Sequence, residues 1–456
     1  MLLNQADAKR LVDRVLALAH ATKGAEALVR VTSAREGNTR FAVNEFTTSG
    51  EIERLQIALT VQFGQRSATA VTNQQDDHSL DELVGRVIRM AKISPENPEQ
   101  MPVLGRQTYL AIKGAVDPAT AKHSPDVRAR SAAAAIAAAE AAKLHIAGFL
   151  ANANRALAIG STDGLSAYHA WTAASMSCTA RTTDGTGSGW AGQSSNKTAE
   201  LDAGALAKVA VDKALASARP SRLDPGRYTV ILEPAAVASL LAFFTNALDA
   251  RRADEGRSFF AKHRPGDKLF PETISLRSDP TETSLGSVPF DPEGFPLAVK
   301  RWVDKGTLTG LPYSRYWAKK QDKLPTGQVN GGGNGGARGA EGTIGWVLDG
   351  GAASRDELIK GVQRGVLITR FWYLRVVDPQ TMLATGLTRD GTFLIENGQI
   401  TRPVNNFRFN ESPVQMLKAC DGLTATAIPA GVEVGSARVP ALRTHEFNLA
   451  SVSEAV

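Results

Sequence analysis

The chain has 456 residues, 43% of them hydrophobic, 21% charged and 6% aromatic, and its 52 Lys plus Arg against 46 Asp plus Glu leave a formal charge of +6. Apolar content at this level excludes a disordered chain, and no run of about 18 apolar residues is present to span a bilayer. Charges of both signs are interspersed along the sequence, so the basic balance marks no nucleic-acid face, and neither nucleic acid nor a membrane is expected as a partner.

The chain opens on a predicted helix over residues 6–21, with Leu11, Val12, Val15, Leu16 and Leu18 at helical spacing. Asp7, Lys9, Arg10, Asp13 and Arg14 fall where a signal peptide needs an uncharged core, so a cytoplasmic location is expected. Residues 25–30, 40–47, 52–63 and 66–72 alternate apolar with polar and are divided by Gly37, Gly50 and Gly64, as in an antiparallel meander. Leu80, Leu83, Val84, Val87, Ile88 and Ala91 then form the stripe of a second helix, which Asn97-Pro98 ends.

An alanine-rich helix is predicted over residues 126–146, followed by a Thr/Ser/Gly/Trp-rich stretch with Asp163-Gly164 and Asp184-Gly185 as hairpin turns. A helix and meander unit therefore occurs twice. After a helix over residues 201–216, a buried strand at 228–232 leads into a helix with Val237, Leu240, Leu241, Phe244 and Leu248 on one face. The remainder is mostly strand, with Lys305-Gly306 and Asn397-Gly398 at hairpin turns. The expected class is α+β: an N-terminal domain (residues 1–105) and a middle domain (106–222), each helix plus antiparallel sheet, and a large β-rich C-terminal domain (223–456), with no βαβ alternation.

The chemistry-bearing residues are sparse. Two cysteines, Cys178 in a predicted strand and Cys420 in a predicted helix, build neither a disulfide framework nor a CxxC zinc site. A zinc peptidase projects two imidazoles and a carboxylate from one helical face, but the His-Glu pair at His445-Glu446 has no second histidine at a workable spacing, and the other six of the seven histidines are isolated. Ser188 lies in Gly-Thr-Gly-Ser-Gly, where Thr186 replaces the first glycine of a nucleophile elbow, and reads as a loop serine. The glycine run at 330–339 lacks a phosphate-loop lysine and reads as a mobile loop carrying Arg338.

Asp291, Glu293 and Gly294 form an acidic Phe-Asp-Pro-Glu-Gly motif whose Asp, Pro and Gly suit a type I turn better than paired acid/base catalysis. Thr388-Arg-Asp-Gly391 likewise reads as a turn, in which Arg389 either binds a carboxylate such as a peptide C-terminus or pairs with Asp390 beside Gly391.

Several segments resemble, in order, the TldD/PmbA (TldD/TldE) family, also described as modulators of DNA gyrase. They are Thr39-Arg-Phe-Ala-Val-Asn-Glu45, Arg252-Ala-Asp-Glu-Gly-Arg-Ser-Phe-Phe260, Pro289-Phe-Asp-Pro-Glu-Gly-Phe-Pro296, Asp304-Lys-Gly-Thr-Leu308, Thr385-Gly-Leu-Thr-Arg-Asp-Gly391 and Phe393-Leu-Ile-Glu-Asn-Gly-Gln-Ile400. The likeness runs from about residue 25 to 442. It implies two kinds of subunit. TldD-like chains carry HExxxH on the central helix and a cysteine near the C-terminus and hold the zinc, whereas TldE/PmbA-like chains lack these residues and help enclose a chamber that takes unfolded peptides.

In this sequence the central helix begins Glu233-Pro-Ala-Ala-Val-Ala-Ser-Leu-Leu241 without a histidine, and residues 423–439 contain no cysteine. The resemblance is thus to the TldE/PmbA side, a non-catalytic subunit with no catalytic residue, metal or cofactor of its own. Zinc is expected in a TldD-like partner, and Arg252, Ser258, Arg338 and Arg389 are the expected peptide-binding residues. Two alternatives are a homo-oligomeric, possible homodimeric, peptide- or protein-binding protein without hydrolysis, and a carboxylate-dependent hydrolase using Asp291, Glu293 or Asp390 with an unanticipated metal.

Overall fold

The computed structural model describes residues 2–327, 344–430 and 437–453. Helix α1 (Gln5–His20) starts at Asn4, whose side chain accepts from Asp7 N, and buries Ala8, Leu11, Val12, Val15 and Ala19. Strands β1 (Glu26–Ala42), β2 (Glu45–Phe63) and β3 (Arg66–Thr72) follow, then α2 (Asp77–Ile93), capped by Asp76. The strands expected to break at Gly37 and Gly50 run through both. Gly37 is no breaker because it sits under the side chain of Arg128: a Cβ there would come within 2.2 Å of a guanidinium nitrogen. The chain reverses instead at Val43 and Asn44, both left-handed at φ 52° and 63°. A β-branched residue in that conformation is rare, so Val43 carries no turn signal.

The middle segment holds α3 (Pro118–Ala121), α4 (Pro125–Ala141), β4 (His145–Ser161), β5 (Ser166–Arg181), β6 (Ser188–Ser195) and α5 (Ala203–Ala216). Strand β1 pairs with β4 from Leu28 opposite Ser161 to Phe41 opposite Gly148, so the two meanders form one antiparallel sheet of six strands, ordered β3-β2-β1-β4-β5-β6. Helices α1 and α2 pack on Val29, Val31, Ile57 and Leu59; α4 and α5 pack on Phe41, Leu150 and Met176. Val29, Val31 and Phe41 share one parity on β1, which puts both helix pairs on the same face. The alanines of α4 and α5 are what let these helices come close to each other and to the sheet.

The C-terminal part contains β7 (Gly226–Leu232), α6 (Pro234–Ala247), α7 (Ala250–Asp254), β8 (Leu276–Ser278), β9 (Lys300–Asp304), β10 (Thr307–Leu308), α8 (Arg315–Lys320), β11 (Trp346–Leu348) and α9 (Arg355–Lys360). It ends with β12 (Arg364–Asp378), β13 (Leu383–Glu396), β14 (Gln399–Pro403), β15 (Asn406–Glu411), α10 (Pro413–Lys418), β16 (Cys420–Ala427) and β17 (Ala437–Ser453). Pairings β17-β15, β15-β13, β13-β12, β12-β7 and β7-β17 close a ring. The expected α+β class, with a large β-rich C-terminal part, is what the chain adopts, although β7 with β12 and β11 with β17 are parallel pairs inside the mainly antiparallel sheet.

Lys305-Gly306 and Asn397-Gly398 make the expected turns, with φ of 45° and 77° and of 49° and 76°. Three further local expectations fail. The alanine-rich helix expected over residues 126–146 stops at Ala141, and His145 and Ile146 already belong to β4. Cys420 opens β16 rather than lying in a helix, since α10 ends at Lys418. Thr388 to Gly391 is no turn but a bulge inside β13, where Asp390 and Gly391 take φ of 57° and 125° and the pairing with β12 shifts register. Among the described residues no helix is long and apolar enough to cross a membrane.

The six-stranded sheet docks on the C-terminal part through its other face. Leu157, Ile159 and Trp171 pack with Val288 and Phe290, and Ser194 N donates to Ile428 O at 3.0 Å.

Candidate functional site

Strand β7 lies between β12 and β17 and delivers the chain into α6. Pro234 at the first helical position has no N–H to leave unsatisfied, which suits it to start the helix. Helix α6 is apolar all round, buries ten residues from Ala235 to Thr245 and so belongs to the core rather than to a surface. Its two buried hydroxyls are turned back on their own helix: Ser239 Oγ donates to Ala235 O at 2.8 Å and Thr245 Oγ1 to Ala242 O at 3.2 Å. Alkyl groups and bonded hydroxyls offer no imidazole, thiolate or carboxylate, so the residues of α6 do not fit a zinc ion. Among the described residues no group of three or more His, Cys, Asp and Glu is placed to hold a metal ion.

The one carboxylate at the start of this helix is committed elsewhere. Glu233 accepts from Lys213 Nζ at 2.5 Å and from Arg355 at 3.3 Å, tying α5 and α9 to the N-terminus of α6, where its charge also suits the helix dipole.

A second polar centre joins β6 to β12 and β13. Ser188 is not a loop serine: it is buried at the start of β6 and donates to Asp390 Oδ1 at 2.5 Å. Arg370 NH1 lies 3.4 Å from Asp390 Oδ2, and its guanidinium sits 4.9 Å from the ring of Trp190 and 5.3 Å from that of Trp372. Arg389 stacks on Trp372 at 5.0 Å, with its Nε 3.9 Å from Asp390. Thr369 Oγ1 lies within 3.1 Å of the carbonyl oxygens of Arg389, Asp390 and Gly391, which pins the bulge. The sequence singles out Arg389 and Asp390, reads Ser188 as a loop residue, and gives no sign of Trp190, Arg370 or Trp372. Ser188 and Asp390 are 202 positions apart, so no spacing could reveal the pair.

The remaining expected residues are dispersed. Arg252 sits on α7 with its NH1 donating to Asn246 O at 3.1 Å. Ser258 is buried after α7 with its Oγ lacking a hydrogen-bond partner among the described residues. Arg338 lies outside the described residues. Asp291 Oδ1 accepts from Glu293 N and Phe295 N, both at 2.9 Å, while Gly294 takes φ 83° and its carbonyl accepts from Tyr109 OH at 2.8 Å. Glu293 meets Arg315 at 2.8 Å, and Arg315 reaches Pro102 O, so this motif is a turn that fastens the segment after α2. Burial pushes both thiols up, Cys178 to about 12 and Cys420 to about 11, which leaves them unreactive near neutrality.

Two family models match: the PmbA/TldA metallopeptidase central domain over residues 118–218 and the C-terminal domain over residues 225–451. The chain belongs to the PmbA/TldD family. A protein named metalloprotease from Methanothermobacter thermautotrophicus is 29% identical to this family member over 226 residues, 46% of each chain. A metalloprotease PmbA homolog from Buchnera aphidicola is 26% identical over 190 residues, 41% of this chain and 40% of its own. The match therefore spans less than half the length of these curated relatives. The fold of a Thermococcus kodakarensis TldE superposes with a TM-score of 0.85 at 18% identity, covering 96% of this chain and 99% of that one. A Thermotoga maritima protein described as a modulator of a DNA gyrase gives 0.84 at 18% identity with the same coverage.

Proposed function

We propose that this PmbA/TldD family chain is a non-catalytic, TldE/PmbA-like subunit that pairs with a zinc-bearing TldD-like chain and helps enclose the site where unfolded peptides are cleaved. The observation that carries the reading is the chemistry of α6. The helix that bears the zinc-binding motif in TldD-like chains is here a core helix of alanine, leucine and phenylalanine. Its hydroxyls are bonded to their own backbone, and its only flanking acid on the β7 side, Glu233, is held by Lys213 and Arg355.

A sheet edge supports the peptide part of the reading. Strand β7 pairs with β12 only from Gly365 to Ile368, and among the described residues no strand flanks β12 on that side further along. That stretch exposes Tyr373, Val376 and Val377. An extended peptide adds to such an edge through main-chain hydrogen bonds that are indifferent to sequence. The carboxylate-hydrolase alternative loses support because Asp291, Glu293 and Asp390 are each engaged in turn or ion-pair contacts.

The test is reconstitution. The purified chain is expected to bind no stoichiometric zinc and to leave an unfolded peptide intact, and cleavage is expected on mixing with a TldD-like chain. Stoichiometric zinc together with peptide cleavage by the lone chain overturns the proposal. A stable self-dimer that ignores the TldD-like chain supports the homo-oligomeric binding alternative instead.

A further inference from the structure

On the face of β7 turned away from α6, three side chains from three strands line up. Thr229 Oγ1 lies 2.9 Å from His445 Nδ1, and His445 Nε2 lies 2.9 Å from Asp421 Oδ2. Alternation along β7 sends Val230 and Leu232 into the core around α6 and Ile231 towards α9, and Thr229 shares the side of Ile231. Arg443 fixes the acid, with Nε to Oδ1 at 2.7 Å and NH2 to Oδ2 at 3.0 Å, while its NH1 donates to Leu358 O at 3.1 Å.

The backbone explains how the imidazole reaches the hydroxyl. The register between β17 and β7 shifts between Thr444 and Phe447, and Glu446 within that bulge takes φ 56°. A bulge re-aims its side chains, here setting His445 beside Thr229. The cross-strand neighbour of Thr229 on β12 is Gly365, which brings no side chain over the hydroxyl. The side chains of His445 and Asp421 are 42% and 44% exposed, so a small molecule can reach the group.

The hydrogen bonds also set the proton positions. Burial opposes the charged carboxylate of Asp421, but the bonds from Arg443 and His445 outweigh it and hold the group below the usual carboxylate range. An ionised carboxylate only accepts, so His445 carries its proton on Nε2 and presents Nδ1 as the acceptor of the Thr229 hydroxyl proton. That is the protonation state of a nucleophile, base and orienting acid.

We propose that Thr229, His445 and Asp421 form an acyl-transfer site for small activated esters. His445 Nδ1 takes the Thr229 proton as Oγ1 bonds to the ester carbonyl carbon. The carbon–oxygen bond to the alcohol then breaks, and the leaving oxygen takes that proton from Nδ1. Water attacks the resulting threonyl ester, giving a proton to Nδ1, and Thr229 leaves with it, so ester and water become acid and alcohol. Asp421 stabilises the imidazolium through Nε2, and Arg443 is a positioning residue. The reaction uses neither zinc nor a second chain, so its outcome is separate from that of the reconstitution test above.

The full chain, treated with a metal chelator, is mixed with p-nitrophenyl acetate. The expected result is a burst of p-nitrophenol and one acetyl group on Thr229 that hydroxylamine removes, as it removes an ester and not a lysine amide. Thr229→Val is expected to lose the adduct and Thr229→Ser to keep it. His445→Gln, an exposed change that does not threaten the fold, should slow acylation by about 10²-fold or more. Added imidazole should restore part of that rate, which a merely structural role would not allow. Acetylation at wild-type rate in Thr229→Val or His445→Gln, or adducts confined to other residues, overturns the proposal.

Discussion

Arg128 extends from α4 into the middle of the six-stranded sheet, where it is 1% exposed. It donates to Asn152 Oδ1 at 2.7 Å, lies 3.4 Å from Thr39 Oγ1 and from Gly50 O, and is 3.5 Å from Glu51. Gly37 makes the room for its guanidinium. Truncating Arg128→Ala would take this donor from the buried Thr39 hydroxyl and Asn152 amide oxygen, so urea unfolding is expected to show a loss of about 1–3 kcal/mol. Gly37→Ala, whose Cβ would collide with the guanidinium, should be destabilising as well. His169 supplies a second residue-scale test. It stacks on Trp171 and its Nε2 donates to Ser287 O at 3.1 Å, and burial, partly offset by that bond, holds its pKa down to about 4. The unfolded chain takes up a proton near 6.5 and the folded chain only near 4, so stability falls as pH drops through that window and levels off below it. The cost is about 3 kcal/mol. A His169→Gln variant, compared by thermal unfolding at pH 7 and pH 4, should lose this part of the pH dependence.

At the scale of elements, the helices were readable where their apolar spacing was strong. Leu11, Val12 and Val15 on α1 and Leu80, Leu83 and Val87 on α2 are buried as their spacing requires. The strands were less readable, because a glycine in sequence does not say whether it ends a strand or admits a side chain from another layer. The bulge at Asp390 looked like a turn for a related reason: left-handed Asp and Gly occur in both, and only Thr369 on the neighbouring strand decides between them. The free edge of β12 belongs to this scale too. Tyr373 and Val377 are 58% and 55% exposed, and a lysine at such positions blocks strand addition without disturbing a core. Tyr373→Lys combined with Val377→Lys is expected to fold normally and, in a reconstituted pair, to raise the KM for an unfolded peptide by about tenfold, about 1.4 kcal/mol of lost contact. An unchanged KM would remove this edge from the peptide path.

For the molecule as a whole, the polar contacts that tie the six-stranded sheet and its helix α5 to the C-terminal part include Ser188 with Asp390, His169 with Ser287, and Lys213 with Glu233. Each joins residues distant in sequence, so none could be foreseen from spacing. Removing the charge with Asp390→Ala should loosen this junction, and limited proteolysis between β6 and β7 is the measurement that would register it. The sequence by itself determined the α+β class, the helical stripes and the order of motifs that resembles the PmbA/TldD family, because periodicity and turn chemistry are local properties of a chain. It also states that residues 233–248, the segment after β7, hold no histidine or cysteine, because side-chain identity is what a sequence states outright. The tertiary structure alone decided that two meanders are one sheet, that Ser188 and Arg370 share Asp390, and that Thr229, His445 and Asp421 meet. Those are facts of strand pairing, and pairing between distant segments is set by what the packed core and the bulges bring together.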